Sequence, residues 1–114
     1  MAVNYNLVIE QGARFYRLIY WLDEDGNGVD LSSYTAKMQG RQTKSASGTL
    51  FEWTSAAGDI TLGSDGSIVI DVDDSDTATL DFDYGLYDLV LTDGSSNVTR
   101  LLEGVVSLSR RVTQ

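Results

Sequence analysis

Between Tyr84 and Leu108 the chain reads Tyr-Gly-Leu-Tyr-Asp-Leu-Val-Leu-Thr, then Asp-Gly-Ser-Ser-Asn, then Val-Thr-Arg-Leu-Leu-Glu-Gly-Val-Val-Ser-Leu. Two β-rich runs around an Asp-Gly turn predict a hairpin, because Asp and Gly accept the backbone angles that a tight reversal needs. Tyr87, Leu89 and Leu91 fall on one face of the first strand. Leu86, Asp88, Val90 and Thr92 fall on the other, so polarity alternates with the pleat. Gly104 interrupts the second run, where a bend or bulge is expected. A hairpin this apolar is not stable alone in water, so the upstream chain has to cover it.

The upstream chain offers the strands to do so. Tyr5 to Glu10 reads as a first strand and Arg14 to about Leu22 as a second. The second carries Tyr16, Leu18, Tyr20 and Leu22 on one face and Phe15, Arg17, Ile19 and Trp21 on the other. Two apolar faces fit a central strand, or a strand with one face at an interface. A polar turn at 23–28 leads to Val29–Tyr34, where Asp30 or Ser32 can cap a single helical turn. Thr35 to Gln42 alternates as a half-buried strand, and 43–48 is a polar loop. Thr49 to Thr54 places Phe51 and Trp53 on one face. Ile60 to Leu62 is a short strand, and Ser67 to Val72 points Ile68, Ile70 and Val72 inward. Residues 73–80 fit a short helix capped by Asp74 or Ser75, with acids favouring its N-terminus. About eight short strands separated by turn signals predict an all-β antiparallel sandwich or barrel in one domain spanning 1–114.

Composition removes most chemistry. The 114 residues contain no cysteine and no histidine, which excludes a disulfide framework, a thiolate nucleophile and the usual general base. Without histidine no standard serine triad assembles. The formal net charge of −9 repels phosphate backbones and anionic lipid, so neither nucleic acid nor membrane is the expected partner. No apolar run approaches the ~18 residues of a membrane helix, and the start lacks the pattern of a signal peptide. Arg110 and Arg111 are too few to make a nucleic-acid tail.

Four local patterns carry a chemical alternative. Asp23-x-Asp25-x-Asn27-Gly28 matches the opening of an EF-hand calcium loop, with glycine sixth, but the twelfth position is Tyr34 instead of a closing glutamate. A polar turn is the plainer reading. Asp71, Asp73, Asp74 and Asp76 are enough carboxylates for a hard cation or for glycoside hydrolysis, yet they read better as solvated helix-cap acids. Asn97-Val98-Thr99 is a formal glycosylation sequon without secretory context. Tyr16, Tyr20, Trp21 and Trp53 could form a stacking platform for sugars or single strands; core or protein contact is the better reading at this net charge. The expectation is therefore no enzyme, with no catalytic, cofactor-binding or metal-binding residues.

Taken together, several segments resemble a known group of small bacteriophage virion proteins. They are Phe15 to Trp21 with the Asp-Gly turn and Val29-Asp-Leu-Ser-Ser-Tyr-Thr-Ala-Lys-Met-Gln39; Gly66-Ser-Ile-Val-Ile-Asp-Val with the short helix after it; and the 84–108 hairpin. Across roughly residues 5 to 113 the chain is similar to the N-terminal domain of phage baseplate upper proteins. The resemblance implies an Ig-like antiparallel β-sandwich of about seven to eight strands with one or two short helical turns. It implies a virion structural protein, assembled in the host bacterial cytoplasm, that binds other virion proteins in a symmetric homo-oligomer or as a multi-copy subunit. A tail, baseplate or tail-adaptor position comes first, a capsid decoration protein second, and a carbohydrate-binding module third. Ending at Gln114 without a coiled-coil stalk, the chain is expected to be a free-standing subunit. Its ends are expected to be pinned by neighbouring subunits, and exposed sheet edges and outer-face residues such as Phe15 and Trp21 to make the contacts.

Overall fold

A computed structural model describes residues 3–112; the expectation about pinned chain ends concerns Met1 and Gln114, which lie outside the described residues. The strands are β1 (Val3–Asn4), β2 (Leu7–Glu10), β3 (Phe15–Tyr20), β4 (Thr35–Arg41), β5 (Phe51–Thr54), β6 (Ile60–Leu62), β7 (Ser67–Val72), β8 (Tyr84–Thr92) and β9 (Val98–Ser109), with one helical turn, α1 (Asp74–Thr77). They form two sheets. The larger runs β1-β9-β8-β4-β5 with β2 also on β9, and the smaller runs β3-β7-β6. The two sheets pack face to face as an immunoglobulin-like β-sandwich.

The hairpin at 84–108 is the spine of the larger sheet. Tyr87, Leu89 and Leu91 point inward as the alternation requires, and β9, at 12 residues, is the longest strand. Its bulge does not fall at Gly104. The register slips between Leu89↔Leu102 and Val90↔Arg100, so Leu101 is the residue without a partner. Gly104 stays in regular register opposite Tyr87. It is glycine for a different reason: a Cβ there would stand 2.5 Å from the Tyr5 carbonyl oxygen. Close backbone approach, not a bulge, demands the missing side chain.

That approach also divides the expected first strand. Val3 and Asn4 pair with Leu102 and Glu103, and Leu7 to Glu10 pair with Val106 to Ser109, at one unbroken offset. Between them the ladder is interrupted on one side only: the Tyr5 N–H still donates to the Glu103 carbonyl at 2.8 Å, while the Val105 N–H is accepted by the Asn6 side chain at 3.0 Å. Both pairings are parallel. The sandwich is thus antiparallel in every other ladder but mixed along this edge, where a chain entering beside β9 has no hairpin to reverse it.

The core lies between the sheets. Phe15, Trp53, Phe51 and Phe82 form a chain of rings with successive centroids 5.3, 4.3 and 6.3 Å apart. Leu31, Met38, Ile68, Ile70, Leu89 and Val106 complete it with essentially no exposure. Burying a large aliphatic side chain contributes about 1.5–3 kcal/mol each, so this layer is the main stabilising term.

The turns are built on one plan. In the β8–β9 turn the Asp93 N–H donates to the Asn97 carbonyl and the Ser96 N–H to the Asp93 carbonyl. Asp93 Oδ1 accepts the Ser95 and Asn97 N–H groups at 2.8 and 2.9 Å. The Asp23–Asn27 turn repeats every one of these bonds, with Oδ1 distances of 2.9 and 3.0 Å. The Gly63–Ser67 turn between β6 and β7 shares the backbone pair without the Asp. In all three the fourth residue has positive φ: Gly26 at 85°, Gly66 at 85° and Ser96 at 67°.

The helical expectations shrink. Asp30 does accept the Ser32 N–H at 3.0 Å, but 31–34 closes as a turn on the Tyr34 N–H to Leu31 carbonyl bond. The second helical segment is only Asp74–Thr77, with Asp73, not Asp74 or Ser75, at the N-cap and no side-chain cap bond. Its anchor is Thr77, fully buried, whose hydroxyl donates to the Ala13 carbonyl at 2.8 Å and accepts the Gly12 N–H at 3.1 Å.

Candidate functional site

Sheet edges are where a β-sandwich can add strands, because each edge strand has a row of unpaired N–H and C=O groups. Most edges here are blunted. The β1–β2 edge is broken at Tyr5 and Asn6, β5 has 4 residues and β6 has 3. The remaining edge strand, β3, has 6 residues with no proline and no bulge. Among the described residues it pairs only with β7, in the register Phe15↔Val72 to Tyr20↔Ser67.

Backbone alternation fixes which β3 groups face outward. The Trp21 N–H donates to the Gly66 carbonyl, so odd-numbered residues turn toward β7. The N–H and C=O groups of Tyr16, Leu18 and Tyr20 therefore face the open edge. Asp71, opposite Tyr16, agrees: its own N–H turns away to the Asp59 carbonyl. Among the described residues, one bond beyond the β7 ladder reaches these groups, from Arg17 Nη1 to the Tyr16 carbonyl at 2.8 Å.

The side chains of the same residues stand on the outer face of the small sheet. Tyr16, Leu18, Tyr20 and Leu22 are 43%, 48%, 53% and 51% exposed. The two apolar faces of this strand thus belong to an edge with one face wet, and not to a central strand. The expected contact residues are corrected accordingly. Phe15 is buried against Trp53, and Trp21 packs partly buried on Tyr34, edge to face at 5.8 Å. Both sit on the inward face that β3 turns to the core, since they alternate with the exposed row.

Charge is uneven along this strand. At its start Arg14 makes two bonds of 2.7 Å to the Asp71 carboxylate and lies over the Tyr16 ring, 5.0 Å from its centroid. The Arg14 hydrogen bonds hold the Asp71 carboxyl below the usual carboxylate range. At the other end the strand runs into Asp23, Glu24 and Asp25.

The remaining sequence candidates take structural places. Asp23 spends its Oδ1 on two backbone N–H groups of its own turn. Asp71 faces Arg14, while Asp73, Asp74 and Asp76 surround α1. Trp53 is a core residue, so the four-aromatic platform does not exist as a surface; Tyr16 and Tyr20 are its exposed members. Arg110 bonds Asp81 at 2.9 Å and Asp83 at 3.3 Å, and the Arg111 N–H donates to Gln11 Oε1 at 3.2 Å. Asn97 holds Asp93 Oδ2 through its amide at 3.1 Å.

One open groove of about 550 Å³ crosses the outer face of the larger sheet, lined by Asn6, Gln39, Arg41, Asp88, Arg100 and Glu103 among others. No sequence signal marked it, because Arg41 and Arg100 lie on different strands. Its two arginines are engaged: Arg100 pairs with Glu103 at 3.3 Å, and Arg41 bonds the Ala46 carbonyl at 2.7 Å and Gln39 Oε1 at 3.1 Å.

No protein-family model and no curated protein matches this sequence. Solved structures similar in fold include Tim-1, with a TM-score of 0.43 and 15% identity over 100% of this chain and 99% of that one. Another is the Drosophila OTK extracellular domains 3–5, with a TM-score of 0.36 and 12% identity over 90% of this chain and 32% of that one.

Proposed function

We propose that this chain is a structural subunit of a bacteriophage virion, a tail, baseplate or tail-adaptor component that works by protein–protein assembly without catalysis. The observation that carries the assembly part is the β3 edge. It combines outward backbone groups at Tyr16, Leu18 and Tyr20 with an exposed apolar row on the same residues. Strand addition uses these two elements together: main-chain bonds for affinity and alternate side chains for specificity. The virion part is supported by the sequence resemblance, whose segments form β3, β4, β7, β8, β9 and the turns between them.

The reading is tested by raising an antiserum against the purified chain and applying it to phage particles released by a strain that carries the sequence. Label at the tail or baseplate supports it. Label spread over the capsid makes the chain a decoration protein, and intact particles without label overturn the virion role.

A further inference from the structure

We infer that the open edge of β3 docks against β3 of a second copy of this chain, antiparallel, with the two-fold axis at Leu18. The inference rests on the assembly reading above and adds its partner and register. An isologous contact requires a self-complementary surface, and β3 is one. With the axis at Leu18, Leu18 faces its own copy and Tyr16 faces Tyr20 of the partner. All are residues whose N–H and C=O groups point outward, so each pair can exchange both of its bonds. The two three-stranded sheets then join as one six-stranded sheet, with Tyr16, Leu18 and Tyr20 of each copy side by side. Aromatic pairs set directly across strands are favourable.

Charge selects this direction. Arg14 stands just before β3, and Asp23, Glu24 and Asp25 follow its end. Antiparallel docking sets Arg14 of each copy opposite Leu22 of the other, beside its acidic turn. A parallel docking would set like charge against like at both ends, which is repulsive. Along the edge β3 has no proline, no bulge and no acid; the one group set against a partner is the Arg17 guanidinium, which bonds the Tyr16 carbonyl at 2.8 Å and has to give up that bond on docking.

The absence of cysteine from the chain makes a clean test. In a bonded antiparallel pair the facing Cα atoms stand ~5.5 Å apart, within disulfide range. Leu18→Cys should therefore oxidise to a covalent dimer far faster than Val8→Cys, which is comparably exposed but lies on the other sheet. Sedimentation equilibrium should give a dimer for the natural chain and a monomer for Leu18→Lys, both with the same circular dichroism. Glu24→Arg should weaken the dimer, and the loss should shrink in high salt.

A natural chain that stays monomeric at high concentration, or equal cross-linking at positions 18 and 8, overturns the pairing. Loss of incorporation into particles by Leu18→Lys, with the natural chain monomeric, also overturns it and assigns the edge to a different protein. A dimer without particle labelling leaves the pairing standing and removes the virion role; labelling without a dimer does the reverse.

Discussion

The Tyr87 hydroxyl donates a hydrogen bond to the Tyr5 carbonyl across Gly104, the residue that Tyr87 faces on the neighbouring strand. Three strands meet at that point. The Tyr5 backbone and the Asn6 side chain fill the position where Gly104 has no side chain, and the Tyr87 hydroxyl reaches that Tyr5 carbonyl. The bond thus ties the break between β1 and β2 to the centre of the sheet, and it does so in an almost fully buried ring, with Tyr87 4% exposed.

Two substitutions separate the parts of this arrangement. Tyr87→Phe keeps the ring and removes one hydrogen bond, an expected loss of about 1 kcal/mol. Gly104→Ala should cost more, about 1–3 kcal/mol, because its Cβ would meet backbone at 2.5 Å and not a flexible side chain. Urea unfolding should rank them in that order. Equal or reversed costs would mean that the hydroxyl, and not the close approach, holds the segment.

The same phenol gives an alkaline signature. Burial, and to a lesser extent Tyr5, pushes Tyr87 from 10.0 up to about 12. A raised folded value means that the neutral form contributes stability in full below about pH 10, which is lost as pH rises through about 12. Phenolate absorbance should therefore show a late component, the Tyr87 ionisation, at about pH 12. In Tyr87→Phe that late component should be missing.

Ser96 occupies a left-handed position, φ 67°, that its counterparts fill with glycine: Gly26 in the Asp23–Asn27 turn and Gly66 in the Gly63–Ser67 turn. A residue with a side chain costs roughly 1 kcal/mol there. Ser96→Gly should raise the thermal midpoint, offset in part by the greater freedom of glycine in the unfolded chain. A lower midpoint would show that the Ser96 side chain contributes more than its backbone strain costs.

Thr77 joins α1 to the start of β3. Thr77→Val preserves shape but leaves the Gly12 N–H and Ala13 carbonyl without their partner, an expected cost of about 1–3 kcal/mol. Thr77→Ser keeps the hydroxyl and loses a methyl, about 1 kcal/mol. Hydrogen exchange at the Gly12 amide distinguishes them: faster in Thr77→Val, protected in Thr77→Ser. Faster exchange in both would assign the anchoring to packing.

How much of this was legible in the sequence depends on the range of the interaction. Alternation in Tyr84–Thr92 and Ser67–Val72 is local, so the inward residues were readable there. The neighbour of a strand is not a local property. Phe15 to Trp21 shows two apolar faces whether it lies at the centre of a sheet or at its edge. Only the pairing with β7 alone, and the exposure of Tyr16, Leu18 and Tyr20, decides between them. Gly104 signalled an irregularity but not its kind, because the reason for the glycine is Tyr5, distant in sequence. The shared turn plan was open to reading in Asp23…Asn27 and Asp93…Asn97, where Asp and Asn recur at the same spacing. The run at 23–27 also fits the opening of a calcium loop, a pattern that Asp-Gly-Ser-Ser-Asn at 93–97 does not share.

The Asp93 carboxylate should make the β8–β9 turn sensitive to acid. Hydrogen bonds from the Asn97 backbone and side chain, and then from Ser95, hold its carboxyl below the ordinary 3.8. A depressed folded value contributes stability that is present above the unfolded pKa and lost as pH falls through the folded one. The stability gap between the natural chain and Asp93→Ala should therefore be constant from pH 7 to about 5 and narrow below about 3.8. Asp93→Asn keeps an acceptor that does not titrate, so its gap to Asp93→Ala should persist in acid. Asp30, Asp65 and Asp71 are depressed in the same direction, but they are common to all three proteins and cancel from the comparison. A natural-to-Asp93→Ala gap that stays unchanged in strong acid would place the contribution of Asp93 in the shape of the turn instead of its charge.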